Sequence, residues 1–219
     1  MILVPIKEAA YAKQRLATIL TMKERIELAR AMCHDVLQTL AEWNDHPEVN
    51  VVTTDAFARE LAARFKFGVI GDNNSGETHA IALATSESKA RGATCTWVIP
   101  ADIPLASSEE LQAIAEAAPS SGSVLVPDAA GRGTNAALRS PADLFPLRFG
   151  NDSYLPHLAA ARATGLPYVT LQLPGIARDI DRPDDLLALA AADGERHSQN
   201  LVRSWKLEER IFVQSSGSS

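Results

Sequence analysis

A chain of 219 residues can bury one substantial core, and 46% hydrophobic with 22% charged residues is the balance of a soluble globular protein. The formal net charge of -6 supplies no general field for nucleic acid, so an anionic ligand must be held by a local group of Lys or Arg. No apolar run nears the roughly 18 residues of a membrane span, and the start Met1-Ile2-Leu3-Val4 lacks the basic region and length of a signal peptide, so a cytoplasmic protein is expected.

Residues 1–6 form a short apolar run suited to a buried first strand, and residues 7–20 follow as a loop carrying Lys7, Lys13 and Arg15. Across 22–43 apolar residues recur at helical spacing (Ile26, Leu28, Met32, Val36, Leu37, Leu40), so one helix face should pack on a sheet. Cys33 falls in this helix and Cys95 in a later strand, without the short spacing of a zinc site, which reads as reduced core cysteine. A strand at 49–54, a helix at 55–67 capped by Asp55 and a brief strand at 68–70 come next. The polar loop 71–76 then leads into a helix ending near Arg91, followed by a strand at 94–99.

That strand stops abruptly in Pro100-Ala101-Asp102-Ile103-Pro104, which puts the Asp102 carboxylate where an open α/β sheet binds its ligands. Asp102 could instead cap the next helix, although Ser107 and Ser108 are better placed to do so. The helix 107–118 and the strand 123–127 precede a polar turn, Asp128 to Asn135, with glycines at 131 and 133 and side-chain donors at Thr134 and Asn135. A short apolar piece, Ala136-Ala137-Leu138, follows this turn. Gly150 and Ser153 open a helix running to about Thr164, whose first amides would suit an anion. A strand at 168–173 and a helix at 183–192 close the regular part. Strands alternating with helices imply a mainly parallel sheet covered on both faces.

Between these last two elements lies Asp179-Ile180-Asp181. In extended backbone, residues two apart point the same way, so both carboxylates can address one site; alternatively Asp181 caps the helix entered through Pro183. Carboxylates without thiol or imidazole neighbours suit a hard divalent cation such as Mg2+. Glu77 could accept from a nucleobase edge or serve simply as a first-turn helix carboxylate. Gly-x-x-x-x-Gly-Lys-Ser/Thr is absent, which argues against a P-loop fold. His79, His157 and His197 share no spacing and read as structural or exposed.

Taken together, Val4-Pro5-Ile6-Lys7 with Ala12-Lys13-Gln14-Arg15-Leu16, Pro100-Ala101-Asp102-Ile103-Pro104-Leu105, Gly131-Arg132-Gly133-Thr134-Asn135-Ala136, Phe149-Gly150-Asn151-Asp152-Ser153 and Asp179-Ile180-Asp181-Arg182-Pro183 resemble, in that order, the guanylyltransferase family of coenzyme F420 biosynthesis. Its members act on 2-phospho-L-lactate or phosphoenolpyruvate. The resemblance covers roughly residues 1–192. It implies a nucleotidyltransferase fold of the glycosyltransferase-A-like kind, with GTP and Mg2+ as partners and release of pyrophosphate. By this resemblance Asp102, Asp179 and Asp181 are the metal carboxylates. Thr134, Gly150 and Ser153 contact the acid's carboxylate, and Lys7, Lys13 and Arg15 face the triphosphate, with Lys13 and Arg15 joining Asp102 in catalysis. Glu77 would then face the guanine.

The chain departs from the family at 71–79, where members are more apolar, and at Asn151-Asp152, where Pro-Gly is common. The resemblance implies phosphoenolpyruvate, 2-phospho-L-lactate or 3-phospho-D-glycerate as the acceptor, and a transferase that consumes the activated product would be the downstream partner. Two other readings stay open: a nucleotidyltransferase acting on a molybdopterin or sugar phosphate, and a nucleotide-binding domain without catalysis. Residues 1–193 are expected to form the nucleotidyltransferase domain. Residues 194–219 form a C-terminal extension that could serve as a dimer arm, with a short helix or strand at 201–213 and disorder beyond it.

Overall fold

A computed structural model describes residues 1–9, 13–72, 76–150 and 152–207. Ile2–Pro5 (β1), Val49–Val52 (β2), Gly68–Ile70 (β3), Thr96–Val98 (β4), Gly122–Pro127 (β5), Thr134–Ser140 (β6) and Tyr168–Thr170 (β7) form one seven-stranded sheet in the order β3-β2-β1-β4-β6-β5-β7. β1 pairs in parallel with β2 and β4, while β6 runs antiparallel to both of its neighbours, β4 and β5. The short apolar piece at 136–138 is thus the middle of a seven-residue reversed strand. β7 is shorter than expected and ends at Thr170.

The pleat sorts the strand residues onto two faces. Ile2 and Val4 join Val124, Val126, Ala136 and Leu138 in one core cluster, and Leu3, Leu125 and Ala137 join the other. The helices Met22–Glu42 (α1), Ala56–Arg64 (α2) and Ser108–Ala117 (α4) cover the first face through residues such as Leu37, Leu61 and Ile114. Glu77–Ala90 (α3) and Tyr154–Ala163 (α5) cover the second through Ile81 and Ala161. Thr21 caps α1 with a reciprocal Glu24 contact, Asp55 accepts the Ala58 amide at the start of α2, and Ser107 caps α4 with Glu110.

A third cluster joins Leu16, Leu28 and Met32 to Pro183–Ala191 (α6) and His197–Ser204 (α7). The α7 helix is docked by a buried carboxylate: Asp35 on α1 accepts from the amides of His197 and Ser198, both at 2.9 Å, and from Ser198 Oγ at 2.6 Å. Expectations for residues 208–219 lie outside the described residues. Among the described residues no helix is long and apolar enough to cross a membrane, and both cysteines are free thiols. Burial pushes the Cys33 thiol above its ordinary range.

Candidate active site

The sheet's connections diverge between β1 and β4, since β2 and β3 lie on one side and β6, β5 and β7 on the other. Such a divergence opens a crevice at the carboxyl ends of the strands. An open cleft of about 500 Å³ sits there, lined among others by Lys7, Asp102, Thr134, Ser153, Asp179 and Asp181. A second, more apolar cleft of about 310 Å³ adjoins it, and Lys7, Glu77 and Asp102 border both. Because β6 is reversed, its first residues, Thr134 and Asn135, arrive at the same edge as the last residues of β4.

Asp102 caps no helix, because Ser107 holds that position on α4. The Asp102 carboxylate faces Lys13, whose Nζ lies 2.7 Å from Asp102 Oδ2 and 2.8 Å from Asp181 Oδ1. Lys13 has a left-handed backbone (φ 53, ψ 42) and its side chain is only 7% exposed. Burial pulls the Lys13 pKa down, but the Asp102 and Asp181 carboxylates outweigh it and hold the ammonium above its ordinary value. Arg15 adds a contact of 3.1 Å to the other oxygen of Asp181.

Asp181 caps nothing either: α6 is entered through Arg182, and the Asp185 carboxylate takes the amides of both Asp181 and Arg182. The Ile180 amide donates to the Asp102 carbonyl at 3.0 Å, which ties the segment to the end of β4. Ile180 itself is fully buried, and the carboxylates on either side of it both line the cleft, as a two-residue period requires. Further back, this segment approaches α4 closely at Gly175, whose amide donates to Glu110 Oε1 at 2.7 Å. A Cβ at Gly175 would lie 2.4 Å from the Leu105 carbonyl oxygen.

The two carboxylates have different surroundings. Burial and the Asp102 charge push Asp179 above the usual carboxylate range, against an opposing hydrogen bond from Asn135 Nδ2 at 3.1 Å. Burial would also raise Asp181, but the Lys13 ammonium overrides it and holds Asp181 low. Among the described residues, the group whose ligand atoms all lie within 4.8 Å of one another is elsewhere, at His34, Asp35 and His197 on the α1–α7 contact. Of the three cleft aspartates, Asp102 and Asp181 are held together by Lys13 and Asp179 by Asn135, rather than closed into one coordination shell.

On the opposite wall, Ser153 stands at the start of α5 without capping it; its Oγ accepts the Thr134 amide at 3.1 Å. The first amide of α5, that of Tyr154, is already given to the Arg132 carbonyl at 2.7 Å, so it is not available to an anion. Gly150 lines the cleft with φ 142, a conformation that favours glycine. His157 is 1% exposed and lies against Thr134, with Nδ1 2.8 Å from Thr134 Oγ1. Spacing among the histidines did not reveal it, but its i+4 relation to Ser153 places the two on one helix face. At the mouth of the second cleft, Lys7 pairs with Glu77 at 2.9 Å across the solvent-exposed rim.

A parallel-dominated sheet with one reversed strand, and a cleft of carboxylates and cations at its divergence, is the architecture of a nucleotidyltransferase. A crystal structure from Desulfovibrio desulfuricans G20, described as a nucleotide-diphospho-sugar transferase, shares this fold with a TM-score of 0.77 at 20% identity, covering 97% of this chain and 96% of that one. Residues 1–218 match the model of the guanylyl transferase CofC like family, and the chain belongs to that family. It is 35% identical over 187 residues to the phosphoenolpyruvate guanylyltransferase of Sphaerobacter thermophilus, covering 85% of this chain and 90% of that protein. It is also 30% identical over 189 residues to the 3-phospho-D-glycerate guanylyltransferase of Colwellia psychrerythraea, covering 86% and 90%.

Proposed function

We propose that this guanylyltransferase joins GMP from GTP to the phosphate of a phosphorylated three-carbon acid and releases pyrophosphate, as a step in assembling an F420-type cofactor in the cytoplasm. The observation that carries this reading is one cleft with opposed chemistries. Carboxylates and cations gather around Lys13 on one wall, and a paired hydroxyl site, Thr134 with Ser153, stands on the other. The acceptor acid brings a phosphate and a carboxylate, and the two walls offer cations and hydroxyls suited to them.

The acceptor's phosphate oxygen attacks the α-phosphorus of GTP as the bond to pyrophosphate breaks. Two anions must meet for this, in a chain that is itself acidic. Lys7, Lys13 and Arg15 face the triphosphate, and Thr134, Ser153 and the backbone at Gly150 orient the acid through its carboxylate. A phosphate monoester is already mostly ionised near pH 7, so the reaction needs no side-chain base to activate it. Glu77, at the rim of the more apolar cleft, accepts from the guanine edge.

Asp102, Asp179 and Asp181 fit Mg2+ by donor type, since hard divalent cations favour carboxylate oxygen, and the buried Lys13 ammonium between two of them marks where positive charge is favoured. Held by these carboxylates, Mg2+ would supply positive charge against the phosphates that meet in the cleft. The test is pyrophosphate release from GTP with Mg2+, offering phosphoenolpyruvate, 2-phospho-L-lactate and 3-phospho-D-glycerate separately, with CTP and ATP as controls. Turnover of GTP with one of the acids is expected. Release from CTP alone, or from no nucleotide, would overturn the reading.

A further inference from the structure

The wall that faces the acceptor holds a histidine whose two ring nitrogens have different partners. The Arg148 backbone amide donates to His157 Nε2 at 2.8 Å, and a backbone N–H can only donate. Nε2 is therefore the unprotonated nitrogen, and Nδ1 carries the hydrogen. That hydrogen goes to Thr134 Oγ1 at 2.8 Å. Ser153 Oγ accepts the Thr134 amide at 3.1 Å and shares a contact of 3.4 Å with Thr134 Oγ1.

Counting donors and acceptors gives the consequence. With the ring donating, whichever hydroxyl serves the other across the 3.4 Å contact, one hydroxyl hydrogen of the pair is left without a partner inside the network. Both residues line the cleft, at 5% and 4% exposure, and among the described residues no other acceptor takes that hydrogen, which directs it into the cleft. With the opposite tautomer Thr134 would give its hydrogen to the ring and Ser153 its own to Thr134 Oγ1 across the 3.4 Å contact, leaving no donor for the cleft. Burial and the charge of Arg139 keep the ring neutral, with a pKa lowered to about 4. Phe149 closes its edge, with the ring centroids 5.4 Å apart.

We infer that His157 is a positioning residue for the acceptor: through the tautomer imposed by the Arg148 amide, it turns the Thr134–Ser153 pair into a hydrogen-bond donor for the acid's carboxylate. The inference rests on the guanylyl-transfer reading for the identity of the acid. A donor at that place favours a group that accepts hydrogen bonds over one that only donates them. A carboxylate only accepts, and the pair offers it a hydrogen.

Two near-isosteric variants separate this role from packing. In His157→Asn the amide nitrogen can take the place of Nδ1 and keep the donor to Thr134, whereas in His157→Gln the amide oxygen can take the place of Nε2 and keep only the acceptor for Arg148. Calorimetric titration with phosphoenolpyruvate, 2-phospho-L-lactate and 3-phospho-D-glycerate is run on wild type and both variants, alongside urea unfolding and steady-state turnover. The Gln variant should bind the acid roughly tenfold or more weakly, with KM for the acid raised by a similar factor and KM for GTP little changed, and Asn should recover most of that loss. Nitrogen-15 spectra of the wild-type histidines should show His157 protonated on Nδ1.

Protonation on Nε2, equal acid affinity in the Gln variant and wild type, losses that follow stability rather than donor placement, or a wild-type chain that binds none of the acids would each overturn the inference. A chain that binds an acid but releases no pyrophosphate from GTP overturns guanylyl transfer and leaves the role of His157 standing.

Discussion

Burying a neutral histidine beside the cleft has a cost that acid should expose. The His157 pKa is lowered from 6.5 to about 4, first by burial and then by the Arg139 charge. A group whose folded pKa lies below its unfolded value binds more protons unfolded across the interval between the two. His157 therefore contributes stability above about pH 6.5 that is lost as the pH falls toward 4. Because pH 5 lies about 1.5 units below the unfolded pKa, the unfolded ring is largely charged there while the folded ring is still mostly neutral, which at about 1.4 kcal/mol per unit gives a loss of about 2 kcal/mol. Urea unfolding of wild type and His157→Asn, at about pH 7 and about pH 5, isolates this contribution, because Asp179, Asp181 and other titrating groups are common to both proteins. The stability gap between the two should narrow by about 2 kcal/mol on acidification. Parallel pH dependences would refute the reasoning, since they would mean that His157 titrates alike in the folded and unfolded chains.

Asp102→Asn should lower pyrophosphate release by at least about 100-fold while thermal melting shows the chain still folded, because it removes a cleft charge and little packing. Glu77→Gln should reduce kcat/KM for GTP by about tenfold or more and leave stability within about 0.5 kcal/mol, since the Lys7 pair it weakens lies at the surface. Asp35→Ala should cost roughly 3 kcal/mol in urea unfolding, as three donors at the start of α7 lose one buried acceptor. Gly175→Ala should cost roughly 2 kcal/mol and also cut turnover, because a Cβ there meets the Leu105 carbonyl oxygen and shifts the segment that carries Asp179 and Asp181.

Local chemistry made several of these features readable from the residues alone. The abrupt Pro-Ala-Asp-Ile-Pro end of a strand, the two-residue spacing around Ile180 and the serines ahead of α4 are backbone rules written in neighbouring positions, and the structure follows each of them. What stayed hidden depends on residues far apart in the chain. The direction of β6 has no signature in Ala136-Ala137-Leu138, because a buried apolar strand reads the same either way. Nothing near Lys13 announces that its ammonium reaches Asp181, 168 positions away. Nor does the sequence around Asp35 show that α7 begins on its carboxylate. His157 was legible only as a helix neighbour of Ser153; that its ring holds a strand hydroxyl emerges from the packing of α5 on the sheet.

The Lys13 ammonium has a further consequence for how the cleft is filled. Carboxylates gathered at one point would ordinarily repel one another until an ion arrived, and here a cation that belongs to the chain already stands among them. If the carboxylates take a divalent cation, as proposed, loading would exchange one positive group for another, with the carboxylates in place beforehand. Folding need not wait for a metal, and a chelator should leave the melting temperature nearly unmoved. Such an exchange would release the Lys13 ammonium within the cleft, where under the proposed reaction it would be available to the triphosphate.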